Sequence, residues 1–233
     1  AKPDIGAPGA SVSAVAGSGT GMIAFSGTSG ATPMVSGSAA LLREAFPDRS
    51  ALEIKALLMN SAETEIQDIP AFLGGDLAPI TRIGGGEVRV DRAYYAPAAA
   101  WDDETLSGSL SFGFHDVTGD LQLRRVVTVR NYSDQAITYQ IVPEFRFASD
   151  AANGAVKVSA PGTLLAPAKR DVQFEVVLSI DSQKLYDWQL NSGALGANPI
   201  PLTINEYDGY IRLMAEGDDD DGDDGDDGDD DRD

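Results

Sequence analysis

The chain has 233 residues, 42% of them apolar, with 25 Gly, 12 Pro, no Cys and a formal charge of −20. Missing thiols exclude a disulfide scaffold, a thiolate zinc site and a cysteine nucleophile, and an acidic balance without a Lys/Arg cluster excludes nucleic acid as a partner. No run of ~18 apolar residues occurs to span a membrane, and the segment Gly217 to Asp233, with 12 Asp against one Arg, carries −11 and leaves the body only moderately acidic at −9.

In chain order, Gly-rich turns come first, and Thr32 to about Ala45 reads as a helix with Pro33 in its first turn. Its small residues Ser36 to Ala40 suit close packing, so this helix is expected to be buried, with Gly37 where two backbones approach. Ser50-Ala51-Leu52-Glu53 fits a capping box opening a second helix to about Ser61. A turn at Gly84-Gly85-Gly86 precedes a short strand through Val88 and Val90, and Asp91 can cap a helix running towards Trp101, ended or bent near Pro97. From about Leu106 to Met214 the period is two: Leu110, Phe112 and Phe114; then Ile137, Tyr139 and Ile141; then Val172, Phe174, Val176, Leu178 and Ile180. Breaks at Asn131 to Asp134, Asn153-Gly154, Ala160 to Gly162 and Asn191 to Gly193 divide this region into roughly seven strands of a sandwich. Residues 217 to 233 hold nothing apolar to bury and repel one another, which predicts a disordered, solvated tail.

The chemistry concentrates in Phe25-Ser26-Gly27-Thr28-Ser29-Gly30-Ala31-Thr32-Pro33-Met34-Val35-Ser36-Gly37, preceded by Lys2-Pro3-Asp4-Ile5-Gly6-Ala7-Pro8-Gly9. Ser29 lies between a Gly turn and a helix start, where first-turn N–H groups lack intrahelical partners and face any developing oxyanion. The bland reading is that Ser29 or Thr28 merely caps the helix.

Together, KPDIGAPG and SGTSGATPMVSG resemble the nucleophile region of the subtilisin-like serine proteases. AFPDRSALEIKALLMNSA and GEVRVDRA extend that resemblance over about 100 residues, and the alternating region, with Glu206-Tyr207-Asp208-Gly209-Tyr210-Ile211 near its end, resembles a fibronectin type III-like sandwich. The resemblance implies an α/β fold for residues 1–103, the C-terminal part of a parallel-sheet catalytic domain with its nucleophile helix. An all-β sandwich would follow over 104–215, and an acidic tail or linker over 216–233. It implies Ser29 as nucleophile, its backbone N–H as an oxyanion donor, and Gly27, Thr28 and Pro33 as supports of the turn. Gly30 and Met34 depart from the family's commonest Met and His at those places, which predicts altered packing rather than lost chemistry.

The implied reaction is peptide hydrolysis through an acyl-enzyme, with a His as base and an Asp orienting it. In the archetype the His precedes the Ser by about 150 residues, and the Asp and the oxyanion Asn also lie upstream. Ser29 has 28 residues before it. These residues are therefore expected in a missing N-terminal part, itself a partner of this chain, and the 233 residues alone are expected to be inactive. Protein or peptide substrates and a secreted or cell-surface location are implied likewise. A different class, a non-catalytic binding or structural module from a degenerate relative, competes with this reading.

His115, the single histidine, reads as an exposed strand residue. An α/β-hydrolase order of Ser29, Asp102 or Asp103, then His115 lacks the strand–helix units that fold requires. No cofactor is required for the chemistry and no metal ligands are assigned. The tail has no register for a calcium-binding EF-hand loop, since each candidate placement puts Gly at position 1 or 3; weak calcium binding by its carboxylates, and structural calcium in the parent protein, stay open. Asn131-Tyr132-Ser133 reads as a turn rather than a glycan site.

Overall fold

The computed structural model describes residues 3–69, 71–188 and 205–216. A hairpin of β1 (Ala10–Ala14) and β2 (Met22–Ser26) leads into α1 (Thr28–Ala45) and then α2 (Ala51–Asn60). After a loop come α3 (Ile80–Ile83), α4 (Val90–Tyr95) and β3 (Ala98–Asp102). The rest is β4 (Leu121–Asn131), β5 (Ile137–Phe145), α5 (Ala148–Asn153), β6 (Val156–Ser159), β7 (Thr163–Ala166), β8 (Asp171–Ile180) and β9 (Gly209–Ala215).

Helix α2 forms as the capping signature requires: the Ser50 hydroxyl accepts from the Glu53 N–H, and the Glu53 carboxylate accepts from the Ser50 N–H. Its apolar residues Ile54, Leu57 and Leu58 meet Leu42 of α1, Ala93 of α4 and Ala99 of β3 in one buried cluster. Full burial of Leu57 alone removes enough apolar surface to contribute about 1.5–3 kcal/mol.

Two antiparallel sheets build the second half, ordered β3-β4-β8-β6 and β7-β5-β9. Both contribute to one core: Val127, Val129, Phe174 and Val176 from the first, Tyr139, Ile141, Leu164 and Ala166 from the second. The period-two pattern places these residues on the inner faces, while their strand neighbours Val126 and Val142 stay exposed. The breaks at Asn131 to Asp134, Asn153-Gly154 and Ala160 to Gly162 fall at the end of β4, at the end of α5 and between β6 and β7. The break at Asn191 to Gly193 and the tail from Gly217 lie outside the described residues.

Several expectations need correction. The first half holds no parallel sheet among the described residues: β1 and β2 pair antiparallel, and the parallel pairing recorded is the isolated bridge Gly6–Glu87. Helix α1 starts at Thr28, four residues before the expected start, which puts Pro33 in its second turn, where the missing N–H leaves the Ser29 carbonyl without its i+4 donor. Nor is α1 buried: only Gly30, Ser38 and Leu42 are, and a Cβ on Gly37 would meet nothing within 4 Å.

The expected strand at Val88 and Val90 is replaced by bridges of Glu87 to Gly6 and Glu63, with Val90 opening α4. Pro97 stops that helix, and Ala98–Asp102 pairs instead with Val127 to Asn131 of β4, so the stretches 1–103 and 104–215 share a sheet. Leu110 and Phe112 do pack on the sandwich core, but their segment forms no ladder; Gly113, at φ 83°, breaks the run and leaves Phe114 exposed.

Candidate functional site

Gly27 stands between β2 and α1 at φ 90°, ψ −173°, a region that a side chain makes costly, and its carbonyl accepts from the N–H groups of Gly30 and Ala31. The turn therefore projects Thr28 and Ser29 at the first positions of the helix. Ser29 is exposed, and its hydroxyl has no hydrogen-bond partner among the described residues. No capping bond is made by any side chain at this end, which removes the reading of Ser29 or Thr28 as a helix cap; Thr32 bonds back to the Thr28 carbonyl at 2.8 Å. The N–H groups of Thr28 and Ser29 have no backbone acceptor among the described residues, as the first N–H groups of a helix do not.

The two motif halves meet here. A Cβ on Gly30 would lie 3.0 Å from the Gly9 carbonyl oxygen, and one on Gly9 would lie 3.1 Å from that of Gly27, so Gly9 and Gly30 let the Ala7-Pro8-Gly9 segment press against the turn. That contact gives Gly30 a role the sequence hid, because the position reads only as a departure from a pattern. Pro33 lies on the exposed face of α1 one turn beyond Ser29.

The segment before Gly9 is fixed in turn. The Gly6 N–H donates to the Gly86 carbonyl at 2.7 Å, the Gly85 N–H to Asp4 at 2.9 Å, and the Val88 N–H to Gly6 at 2.9 Å. Beyond Gly84 lies α3, whose Ile80 N–H donates to Asp208 Oδ2 at 2.6 Å and whose Thr81 hydroxyl donates to Glu206 Oε2 at 3.0 Å. Arg146, at the end of β5, is buried and donates to the carbonyls of Ala78 (2.5 Å), Thr64 (2.8 Å) and Ile66 (3.0 Å) and to the Tyr210 hydroxyl (3.0 Å). A continuous set of hydrogen bonds thus runs from the second half of the chain to the loop behind Ser29. Arg146, Asp208 and Glu206 carried no motif that would have announced this task.

A second junction holds the far end of α1. The Arg49 guanidinium stacks between the rings of Phe46 (3.6 Å) and Tyr132 (3.8 Å). Burial works against ionised Glu53, but bonds from Ser50, Tyr132 and Arg130 outweigh it and hold its carboxyl below the ordinary range, while burial and the Glu53 charge push the Tyr132 phenol up.

His115 is exposed and donates from Nε2 to the Phe112 carbonyl at 2.6 Å. Asp102 is committed elsewhere, its carboxylate accepting from the Thr105 hydroxyl at 2.7 Å, and Asp103 accepts from Thr128 and Gln173. No triad forms from these groups. Asn131 of the sequon is fully buried, with Nδ2 donating to the Gln135 and Ala166 carbonyls.

Residues 1–113 match the Subtilase family. Over 166 residues the chain is 29% identical to the minor extracellular protease Vpr of Bacillus subtilis (strain 168), covering 69% of this chain and 19% of that protein. It is 42% identical over 91 residues to the subtilisin-like protease SBT3.16 of Arabidopsis thaliana, covering 37% and 12% respectively. With the subtilisin-like protease SBT3.10 of the same plant it shares 31% over 141 residues, covering 56% and 18%. The chain thus spans less than a fifth of each of these relatives, and its subtilase-related part contains Ser29, both motif halves and helices α1 to α4. Among solved structures, a FixG-related protein from Vibrio parahaemolyticus aligns over 52% of this chain at 12% identity and a TM-score of 0.27, too low to speak for a shared fold. Among the described residues no helix is long and apolar enough to cross a membrane.

Proposed function

We propose that this chain is part of a secreted subtilisin-like serine endopeptidase in which Ser29 attacks the scissile peptide carbonyl and carries the acyl-enzyme. The observation that carries the reading is the placement of Ser29: an exposed, unbonded hydroxyl at the first turn of α1, within the subtilase-matching residues. Its own N–H, free of a backbone acceptor, is one donor to the developing oxyanion. Gly27, Thr28 and Pro33 support the turn, and Gly9 packs behind it.

The sequence contains one histidine, and His115 is bound to Phe112 on a different segment. The general base, the Asp that orients it and the Asn that completes the oxyanion hole therefore belong to a part of the protein N-terminal to these residues, and the 233-residue chain alone hydrolyses nothing. Protein or peptide chains are the substrates. The two antiparallel sheets form a fibronectin type III-like sandwich that braces the catalytic domain through Arg146, Asp208 and Glu206.

The test is peptide hydrolysis by the longer parent protein and by its Ser29→Ala variant. Loss of a triad member lowers turnover by several orders of magnitude, so activity falls to background in the variant. Equal turnover by both proteins, or Ser29-dependent turnover by residues 1–233 alone, overturns the assignment; a parent whose base is replaced and which cleaves nothing speaks for a binding or structural module.

A further inference from the structure

Where the loop before α3 meets the entry to β9, carboxyl groups outnumber the cations that face them. Asp150 of α5 is only 2% exposed, and its Oδ2 has no hydrogen-bond partner among the described residues. Asp208 Oδ1 and the Tyr207 hydroxyl are likewise inaccessible and unpartnered. The groups in electrostatic contact around this point are Asp208, Glu206, Tyr207 and Tyr210 from the approach to and start of β9, Tyr186 after β8, and Arg146 at the end of β5. Arg146 lies near Asp208, but four of its five N–H donors go to the Ala78, Thr64 and Ile66 carbonyls and the Tyr210 hydroxyl. Asp150 and Asp208 repel one another, and an ionised Asp150 would hold a buried charge with one oxygen unsolvated and unbonded.

We propose that this seam is a pH-sensitive latch, closed with a proton on the Asp150–Asp208 carboxyl pair and loosened when both carboxyls ionise. Burial raises the Asp208 carboxyl, but the Ile80 N–H that its Oδ2 accepts and the nearby Arg146 charge both favour its charged form. Asp150 has no such cation and takes the proton: burial first, and then the Asp208 charge, outweigh the bond from the Asp208 N–H and raise its carboxyl to about 6. A raised acid means that the closed seam binds a proton more tightly than the open one. The seam is therefore strongest at acid pH and weakens as pH rises through about 6, with no further gain below the ordinary carboxylate range near 4. Because Asp208 also holds Ile80, loosening is felt along α3 and Gly84 to Gly86, towards the segment behind Ser29.

The experiment follows amide hydrogen exchange at Ile80 and Ala78 in the 233-residue chain and in Asp150→Asn, between about pH 5 and 7.5, referenced to the Val129 amide and corrected for intrinsic rates. Side-chain carboxyl carbons are titrated by NMR in parallel. In the wild-type chain, protection of Ile80 should fall roughly tenfold across that range, and in the Asn variant it should stay level. An Asp150 carboxyl titrating near 4, or the same loss of protection in the variant, overturns the latch. So does full recovery of protection at pH 7.5 on adding millimolar calcium ion alone, which would make the pair a cation site. If the variant does not fold, the wild-type carboxyl titration decides.

Discussion

Replacing Arg146 with Met removes a buried guanidinium while keeping most of its apolar stem, and the structure sets the size of the effect. Three backbone carbonyls, those of Thr64, Ile66 and Ala78, lose the donor that reaches them across the seam. The Ala78 carbonyl loses its donor outright, while the Thr64 and Ile66 carbonyls keep the N–H groups of Ile66 and Ala78, so one buried acceptor is left without a partner, at a cost of about 1–3 kcal/mol. The lost cation also leaves the Asp208 carboxylate without the charge that favours it. Against these stands the relief of desolvating Arg146 itself, so the net loss is about 1–3 kcal/mol, the cost of one orphaned buried acceptor. The assay is urea unfolding of the 233-residue chain and of Arg146→Met, with Arg146→Lys as a second variant that can reach one or two of the carbonyls and should lose less. A change below about 1 kcal/mol would refute the reasoning, since it would mean that the loop from Thr64 to Ala78 finds its partners without the sandwich.

Three further outcomes follow from the site. Ser29→Ala should leave the unfolding free energy within about 0.5 kcal/mol of wild type, because the exposed hydroxyl bonds nothing; a larger loss in urea unfolding would restore a structural role for it. Gly27→Ala should destabilise by about 1–3 kcal/mol through backbone strain alone, read by the same titration, since a Cβ there meets no neighbour within 4 Å. Expression in a host that attaches N-linked glycans should give protein without a glycan at Asn131, checked by intact mass, because Nδ2 is buried and already donates twice.

Local rules were legible wherever the partner of an element is close in sequence or its pattern is strong. Ser50 and Glu53 specify their own helix start, and the inward residues of β5 and β8 follow from alternation alone. Failures occur where a distant element decides. Ala98 to Asp102 read as a helix tail because nothing local shows that β4 offers it an edge; its alanines and Trp101 fit either state, and pairing with Val127 to Asn131 settles the matter. Leu110 to Phe114 alternated, yet with no partner strand only Leu110 and Phe112 found the core. Ser29 stood out through its motif, whereas Gly30 did not, because the demand it answers is a carbonyl of Gly9, twenty-one residues earlier.

The same distinction explains α1. Its small residues Ser36 to Ala40 predict a buried face, yet of them only Ser38 is buried, on one stripe with Leu42, while Met34, Gly37 and Leu41 lie outward. Exposed apolar side chains continue onto the hairpin through Val12, Met22, Ile23 and Phe25, so the small-residue signal and the apolar hairpin belong to one face that no described element covers. Ser29 opens onto that exposed part of the chain, while its support comes from behind, through Gly9, Gly6, Gly86 and α3 to Asp208. The turn is thus held from its inner side by bonds the 233 residues supply themselves, which is why Gly27 and Arg146 should show their effects on folding and Ser29 should not.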